Sequence, residues 1–308
     1  MILIISLSPA WQRTLFFDTF LPGKVNRATR VIESASGKGV NVARVLNTLG
    51  VPVCLLTVAG GHRGKLFQQA LNTEDLGAHV LAIKGETRLC QTLITPGLIT
   101  EVVEEAAGLS PREMRTFLAC FTSAVKRASL VVLSGSVPKT CGNDVLARLA
   151  RISRTQGVPV LADTQGAPLL NLVKEQPDLV KINRAELGEA SGQATLAGGA
   201  RELMRRGAGL VVISDGARAV TAFAGGKCWK VIPPAITAVN PIGSGDAMLA
   251  GLAAGMATGQ VLTSALELGI ACGAANALTE MPGGVKIKDV KRLMRTFKPV
   301  RPTPPAWA

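Results

Sequence analysis

Six short, mainly apolar runs recur along the chain, at Ile2–Leu7, Val53–Val58, Leu130–Leu133, Val158–Ala162, Leu179–Ile182 and Leu210–Ile213. Each is closer to continuous than to alternating, so each reads as a strand covered on both faces. The segments between them carry helical spacing. Val40–Leu49 puts Val42, Val45, Leu46 and Leu49 on one face, and Asp144–Ser153 does the same with Val145, Leu146, Leu149 and Ile152. Pro111–Lys126, Ala197–Arg206 and Ala247–Ala257 also read as helices. Alternating strands and helices predict an α/β fold with a mainly parallel sheet flanked by helices. At 308 residues, the chain is read as one domain spanning 1–308.

Two stretches break the rhythm, within residues 10–34 and 86–106. They are polar and β-forming, and predict the strands of a small β-sheet lid. A hairpin is expected over Thr221–Ile232, turning at Gly225-Gly226. Pro299–Ala308, with four prolines, reads as a surface strap.

Composition narrows the function. Lys and Arg number 34 against 21 Asp and Glu, a net charge of +13. That surplus suits an anionic small ligand or simply a solubilising surface, and both readings stand. The cations are scattered and not interleaved with aromatics, which argues against a nucleic-acid surface. The six cysteines include no CxxC pair and no metal-ligand spacing, so they read as free thiols in a reducing, cytoplasmic setting. Met1–Leu7 reads as a first strand, not a signal segment, and no uncharged run is long enough to span a membrane. His62 and His79 are the only histidines and neither sits beside a nucleophile, which leaves Ser/His/Asp and Cys/His catalysis without its base.

Two glycine turns carry the chemistry. In Asn240-Pro241-Ile242-Gly243-Ser244-Gly245-Asp246 a glycine-rich turn enters a small-residue helix. The free N–H groups and dipole of such a helix start form an anion site. A carboxylate there is out of place for phosphate binding alone. It fits a base that takes the proton of an attacking hydroxyl while amides hold the transferring group, and it fits equally a helix N-cap. The second turn, Ser36-Gly37-Lys38-Gly39-Val40-Asn41-Val42-Ala43-Arg44, adds a cation and an amide at another helix start. It is not a Walker loop, since GxxxxGK[ST] occurs nowhere in the chain.

Together the two turns resemble the ribokinase-like carbohydrate kinases of the PfkB family, and Leu7–Ala10, Gly23–Ala28 and Gly85–Arg88 resemble its 1-phosphofructokinase and tagatose-6-phosphate kinase branch. Leu7-Ser8-Pro9-Ala10, Gly23–Ala28, Gly85–Arg88, Ser134–Pro138, Asp163-Thr164, the NxxE element in Lys181–Leu187, Ser214–Gly216 and Gly273–Leu278 extend the likeness over about residues 1–290. The resemblance implies a ribokinase-like fold and an ATP-dependent sugar kinase requiring Mg²⁺. Asp246 would be the base, with Gly243, Ser244 and Gly245 as the anion hole. Asn183 and Glu186 would order the nucleotide phosphates and the metal, Glu186 through water. Ser214, Gly216 and Asn276 would line the nucleotide site. Gln12, Arg27, Gly37, Lys38, Asn41 and Arg88 would face the sugar or its phosphate. A homodimer through the lid is expected, and no nucleic-acid or membrane partner.

The chain departs from the family's pattern. Gln12 stands where an Asp is usual, Cys90 and Thr92 where the branch has Asn and Lys, and Ser36, Ile182, Ala219 and Pro241 are further replacements. The phosphoryl-transfer residues are intact and the sugar pocket is altered. The expected acceptor is a phosphorylated ketohexose such as fructose 1-phosphate or tagatose 6-phosphate. An unphosphorylated sugar or nucleoside, or a non-catalytic relative, remains the alternative.

Overall fold

A computed structural model describes residues 1–298 and 301–305. Walking along the chain, β1 (Ile2–Ser6) is followed by β2 (Ala10–Phe16), β3 (Arg30–Ser36), α1 (Lys38–Thr48), β4 (Val53–Ala59), α2 (Gly61–Thr73) and β5 (Ala78–Ala82). Next come β6 (Arg88–Thr95), β7 (Leu98–Val103), α3 (Pro111–Val125), β8 (Leu130–Ser134), α4 (Val145–Thr155), β9 (Val160–Asp163), α5 (Gly166–Leu172), β10 (Leu179–Asn183), α6 (Arg184–Ser191) and α7 (Leu196–Arg206). The chain ends with β11 (Leu210–Ser214), β12 (Val220–Ala224), β13 (Lys227–Val231), α8 (Ser244–Ala257), α9 (Leu262–Ala277) and α10 (Ile287–Met294).

Nine strands form one sheet in the order β13-β12-β11-β10-β9-β8-β1-β4-β5. Pairing is parallel from β11 through to β5, and antiparallel only in the β11-β12-β13 meander. A separate four-stranded sheet, β3-β2-β6-β7, is the lid. The expected strands, the lid and the Gly225-Gly226 hairpin are all present.

Successive strand residues explain the continuous apolar runs. Ile2 and Ile4 face a core shared with α1, α8 and α9, including Val42, Leu46, Leu249 and Leu266. Leu3 and Ile5 face the opposite core, with Phe117 and Phe121 of α3 and Leu146 and Leu149 of α4. A fully buried side chain of this size contributes about 1.5–3 kcal/mol, so alternate residues of one strand anchor separate helix layers. Helix α8 is apolar all round and lies buried through most of its length, as such a helix must. It packs against α9 through glycines: a Cβ on Gly251 would stand 2.6 Å from Gly269 Cα.

Strand β5 and helices α2, α5, α6 and α10 go beyond the expected elements. Helix α2 shows why such elements escape local reading. Its start is capped from a distance, the Glu86 carboxylate accepting from the backbone N–H groups of His62 (3.1 Å) and Arg63 (2.7 Å). The strap is described only over 301–305, where Thr303 bridges to Cys228; its other residues lie outside the described set. Among the described residues no helix is long and apolar enough to cross a membrane.

Gly251→Val forces a branched side chain into the α8–α9 contact. Overpacking of this kind costs about 1–3 kcal/mol or more, so urea denaturation should show a loss of at least that size. Wild-type stability in this variant would mean that the two helices can separate freely.

Candidate active site

Parallel strands direct their C-terminal ends to one edge of the sheet, the usual ligand edge of an open α/β fold. Ser134, Asp163, Asn183 and Ser214 end β8, β9, β10 and β11 there, and Ser134 is in register with Asp163, Asn183 with Ser214. The N-termini of α1 and α8 meet at the same edge, and both begin at a glycine that the turn requires. Gly37 has φ +116°, and a Cβ on it would lie 3.0 Å from Pro9 Cα. Gly243 has φ +81°, and its Cβ would lie 2.9 Å from Pro282 Cβ.

Gly243 is itself the N-cap of α8, and no side chain caps this helix. Asp246 therefore is not a cap. Its Oδ2 instead accepts from Asn41 Nδ2 at 2.8 Å, across the junction of α1 and α8. Asp163 lies at the centre of the site, accepting from Lys38 Nζ at 2.8 Å and from Lys181 Nζ at 2.5 Å. Lys181 Nζ in turn sits 3.0 Å from where a Cβ on Gly245 would be. The glycine turn, the carboxylate of Asp246 and two ammonium groups thus share one buried locus.

The charges shape one another. Burial lifts the Asp246 carboxyl to about 6, Asp163 adds repulsion, and Lys38, the Asn41 amide and Lys181 pull the other way. Burial would also raise Asp163, but Lys181 and Lys38 outweigh it and hold that carboxyl well below the usual range. Lys38 is raised in turn, chiefly by Asp163, and feels both Asp246 and Glu186. Two carboxylates a short distance apart are thereby driven to different tasks: Asp163 stays ionised as a counter-ion, and Asp246 titrates near neutral pH.

The other expected residues are distributed as follows. Asn183 and Glu186 form a reciprocal capping box at the start of α6, with Glu186 Oε2 accepting from Asn183 N at 3.0 Å. Gly216 lies in the left-handed region, φ +59°, just past β11. Asn276, expected to line the nucleotide site, is fully buried and braces the glycine turn from behind. Its Nδ2 donates to Ile242 O (2.8 Å) and Ser244 Oγ (3.1 Å), and its Oδ1 accepts from Gly283 N (2.7 Å). Arg27 is exposed on the loop between β2 and β3. Arg88 donates to the carbonyls of Ser8 (2.9 Å) and Glu104 (3.3 Å), which ties it to the base of the lid. Gln12 is buried in the lid and donates to Thr92 Oγ1 at 2.9 Å, so two of the departures from the family's pattern are partners. Also in the lid, Arg30 forks onto Glu280 (3.0 Å), whose own carbonyl accepts from Asn240 Nδ2 at 2.8 Å.

Lys181 and Asp163 have no assigned task in the sequence reading. A lysine inside a buried strand, LVKIN, is the signal that could have found the first, since such a residue demands a buried anion. Beside Asp163, the hydroxyls of Ser134 and Thr164 are buried without a hydrogen-bond partner, as befits groups aimed at a ligand. Among the described residues no cluster of three His, Cys, Asp or Glu could cage a metal. One half-buried carboxylate, Glu186, close enough to raise Lys38, fits a hydrated Mg²⁺ held mainly by phosphates.

Comparison with known proteins gives a consistent result. The family described as pfkB family carbohydrate kinase matches residues 9–284. A tagatose-6-phosphate kinase of Staphylococcus epidermidis is 29% identical over 306 residues, covering 97% of this chain and 99% of that one. A putative phosphofructokinase structure from Staphylococcus aureus superposes with TM-score 0.82 at 26% identity, over 99% of this chain and 100% of the other. A possible 1-phosphofructokinase from Thermotoga maritima superposes with TM-score 0.89 at 22% identity, over 98% and 99%.

Asp163→Asn removes the shared counter-ion and leaves buried Lys181 without its ion-pair partner. Breaking a buried pair in this way costs about 3–5 kcal/mol, to be read by urea denaturation at neutral pH. The carboxyl's pKa is depressed in the fold, so its stabilisation is complete above the unfolded value. The gap between wild type and variant should therefore shrink only as pH falls below about 4.

Proposed function

The chain belongs to the pfkB family of carbohydrate kinases, and from this we propose that it transfers the γ-phosphoryl group of ATP to a hydroxyl of a phosphorylated ketohexose, of the fructose 1-phosphate or tagatose 6-phosphate kind. The observation that carries the reading is the buried Asp246 carboxylate in the first turn of α8, immediately beyond the Gly243–Gly245 turn and fixed by Asn41. A hydroxyl held at Asp246 would lose its proton to this carboxylate as it attacks. The N–H groups of the turn, with the ammonium of Lys181 beside Gly245, would hold the negative charge of the group in transfer. Lys38 would bridge acceptor and donor sides from the start of α1. Nucleotide phosphates would lie along the C-terminal ends of β10 and β11, near Asn183, Ser214 and Gly216. Mg²⁺, held by those phosphates and through water by Glu186, would supply charge neutralisation.

A second reading, a kinase of an unphosphorylated sugar or a nucleoside, has a specific observation in its favour. The neutral Gln12–Thr92 pair occupies two lid positions where the branch carries charge, and the Arg88 guanidinium already serves backbone carbonyls. Against it, the 29%-identical relative is a tagatose-6-phosphate kinase over nearly its whole length. Lid pairing with a second copy is supported by the exposed apolar residues Val31, Leu98, Val102 and Val103; light scattering reading a monomer would remove it.

Four measurements test these statements. Asp246→Asn keeps the shape and removes the base, so kcat should fall by about 10²–10⁴ with nucleotide binding retained; near-native turnover would eliminate the assignment. Because the base acts ionised and burial lifts it to about 6 in the free protein, the acidic limb of kcat/KM should centre near that pH, far above an ordinary aspartate. ADP release across ketohexose phosphates, hexoses and nucleosides decides between acceptors, and better turnover of the unphosphorylated compounds would replace the phosphosugar reading. Glu186→Gln should raise the Mg²⁺ needed for half-maximal rate, while an unchanged requirement would leave Glu186 as a capping residue alone.

A further inference from the structure

The guanidinium of Arg44, one turn along α1 from Asn41, is buried, and all five of its N–H groups are engaged. Nε and Nη2 grip the two oxygens of Glu74, beyond the end of α2, at 2.6 and 2.9 Å. Nη2 also donates to Ala35 O, at the lid strand β3, at 2.9 Å. Nη1 donates to Pro282 O at 2.7 Å and to Asn41 Oδ1 at 3.5 Å. Arginine can only donate, so the Asn41 atom facing it must be the oxygen. The amide's NH₂ is thereby turned toward Asp246, to which it donates at 2.8 Å.

The same residue steadies the other half of the site. Pro282 backs the glycine turn, since a Cβ on Gly243 would meet its ring at 2.9 Å, and Gly283 presses on the backbone of Asn41, where a Cβ would lie 3.0 Å from Cα. One side chain therefore reaches the partner of the base, the turn behind the anion hole and the root of the lid.

We infer that Arg44 is a positioning residue for phosphoryl transfer: it fixes the orientation of the Asn41 amide and the seat of the Pro282-Gly283 turn, and through them the Asp246 carboxylate and the glycine turn. This rests on the reading of Asp246 as base. The groups facing Asp246 are Lys38 and Asn41 from α1, Asp163 from β9 and Lys181 from β10. Of these only the Asn41 amide is oriented by Arg44. Its bond stabilises the ionised carboxylate, so a disordered amide should make Asp246 harder to ionise.

Arg44→Lys, a point charge without the fork, tests the proposal in the full chain. Turnover at saturating substrates should fall about 10–100-fold, as for a slight misplacement of reacting groups, with the KM for ATP nearly unchanged. The acidic limb of kcat should move up by at least about half a pH unit. Asn41→Ala should move it the same way, and the double variant should move it no further than Asn41→Ala alone. If Arg44→Lys does not fold, Glu74→Ala releases the guanidinium from its outer clamp and should give the same upward shift, smaller in size. A folded variant with lowered melting temperature but an unmoved limb overturns the inference and leaves Arg44 a packing residue; fully additive shifts overturn it as well. Asp246→Asn separates the cases: if that variant turns over normally the base assignment has failed, and if it is inactive while the Arg44 limb stays put, only the positioning role has.

Discussion

One carboxylate between two lysines organises the site. Asp163 ends a central strand of a parallel sheet, where an isolated charge would be prohibitively costly to bury. It is tolerated because Lys38 and Lys181 converge on it. Those contacts fix more than charge. Lys38 begins α1 and Lys181 lies in β10 against the glycine turn of α8, so the pairing sets where two helix starts stand relative to one strand end. The mutual position of α1, β10 and the glycine turn of α8 depends on that triad, and Asp246, lifted to about 6 chiefly by burial, feels Asp163 as added repulsion while Lys38, Asn41 and Lys181 pull the other way.

The fold was largely legible in sequence because its central strands are buried on both faces. Runs such as Ile2–Leu7, short and rich in β-branched residues, read as covered strands where they alternate with helical spacing, and the helices Val40–Leu49 and Asp144–Ser153 show their buried faces by spacing alone. The lid was legible by the absence of helical spacing. Helix α2 escaped because it takes its cap from Glu86, well along the chain, which no local pattern reports, whereas the Asn183–Glu186 capping box of α6 was a local signal left unread. In the site, both glycine turns were readable from composition and order. The Asp163 hub was not, because its partners come from α1 and β10, and a strand-end Asp looks like any other until the sheet order is known. Asn276 and Arg88 illustrate the opposite limit: a motif identifies a position but not which way the side chain faces, and both are engaged in bracing the frame.

The altered lid has a physical logic of its own. A buried neutral donor and acceptor satisfy each other, whereas a charge at one of the two positions alone would be stranded. Gln12 and Thr92 are joined in that way. The two replacements are therefore one change in the polarity of the lid floor, and acceptor preference should be considered with both together.

The Arg30–Glu280 pair gives the two ends of the pocket a common mechanical element. Glu280 is gripped by the lid through its side chain and holds Asn240, at the root of the glycine turn, through its carbonyl. A single residue thus joins the lid to the root of the glycine turn. If the acceptor and the nucleotide each bind one setting of this residue more tightly than another, each strengthens the other's binding by the same factor, since linkage is reciprocal. The two attachments of Glu280 would then carry that coupling between the lid and the glycine turn.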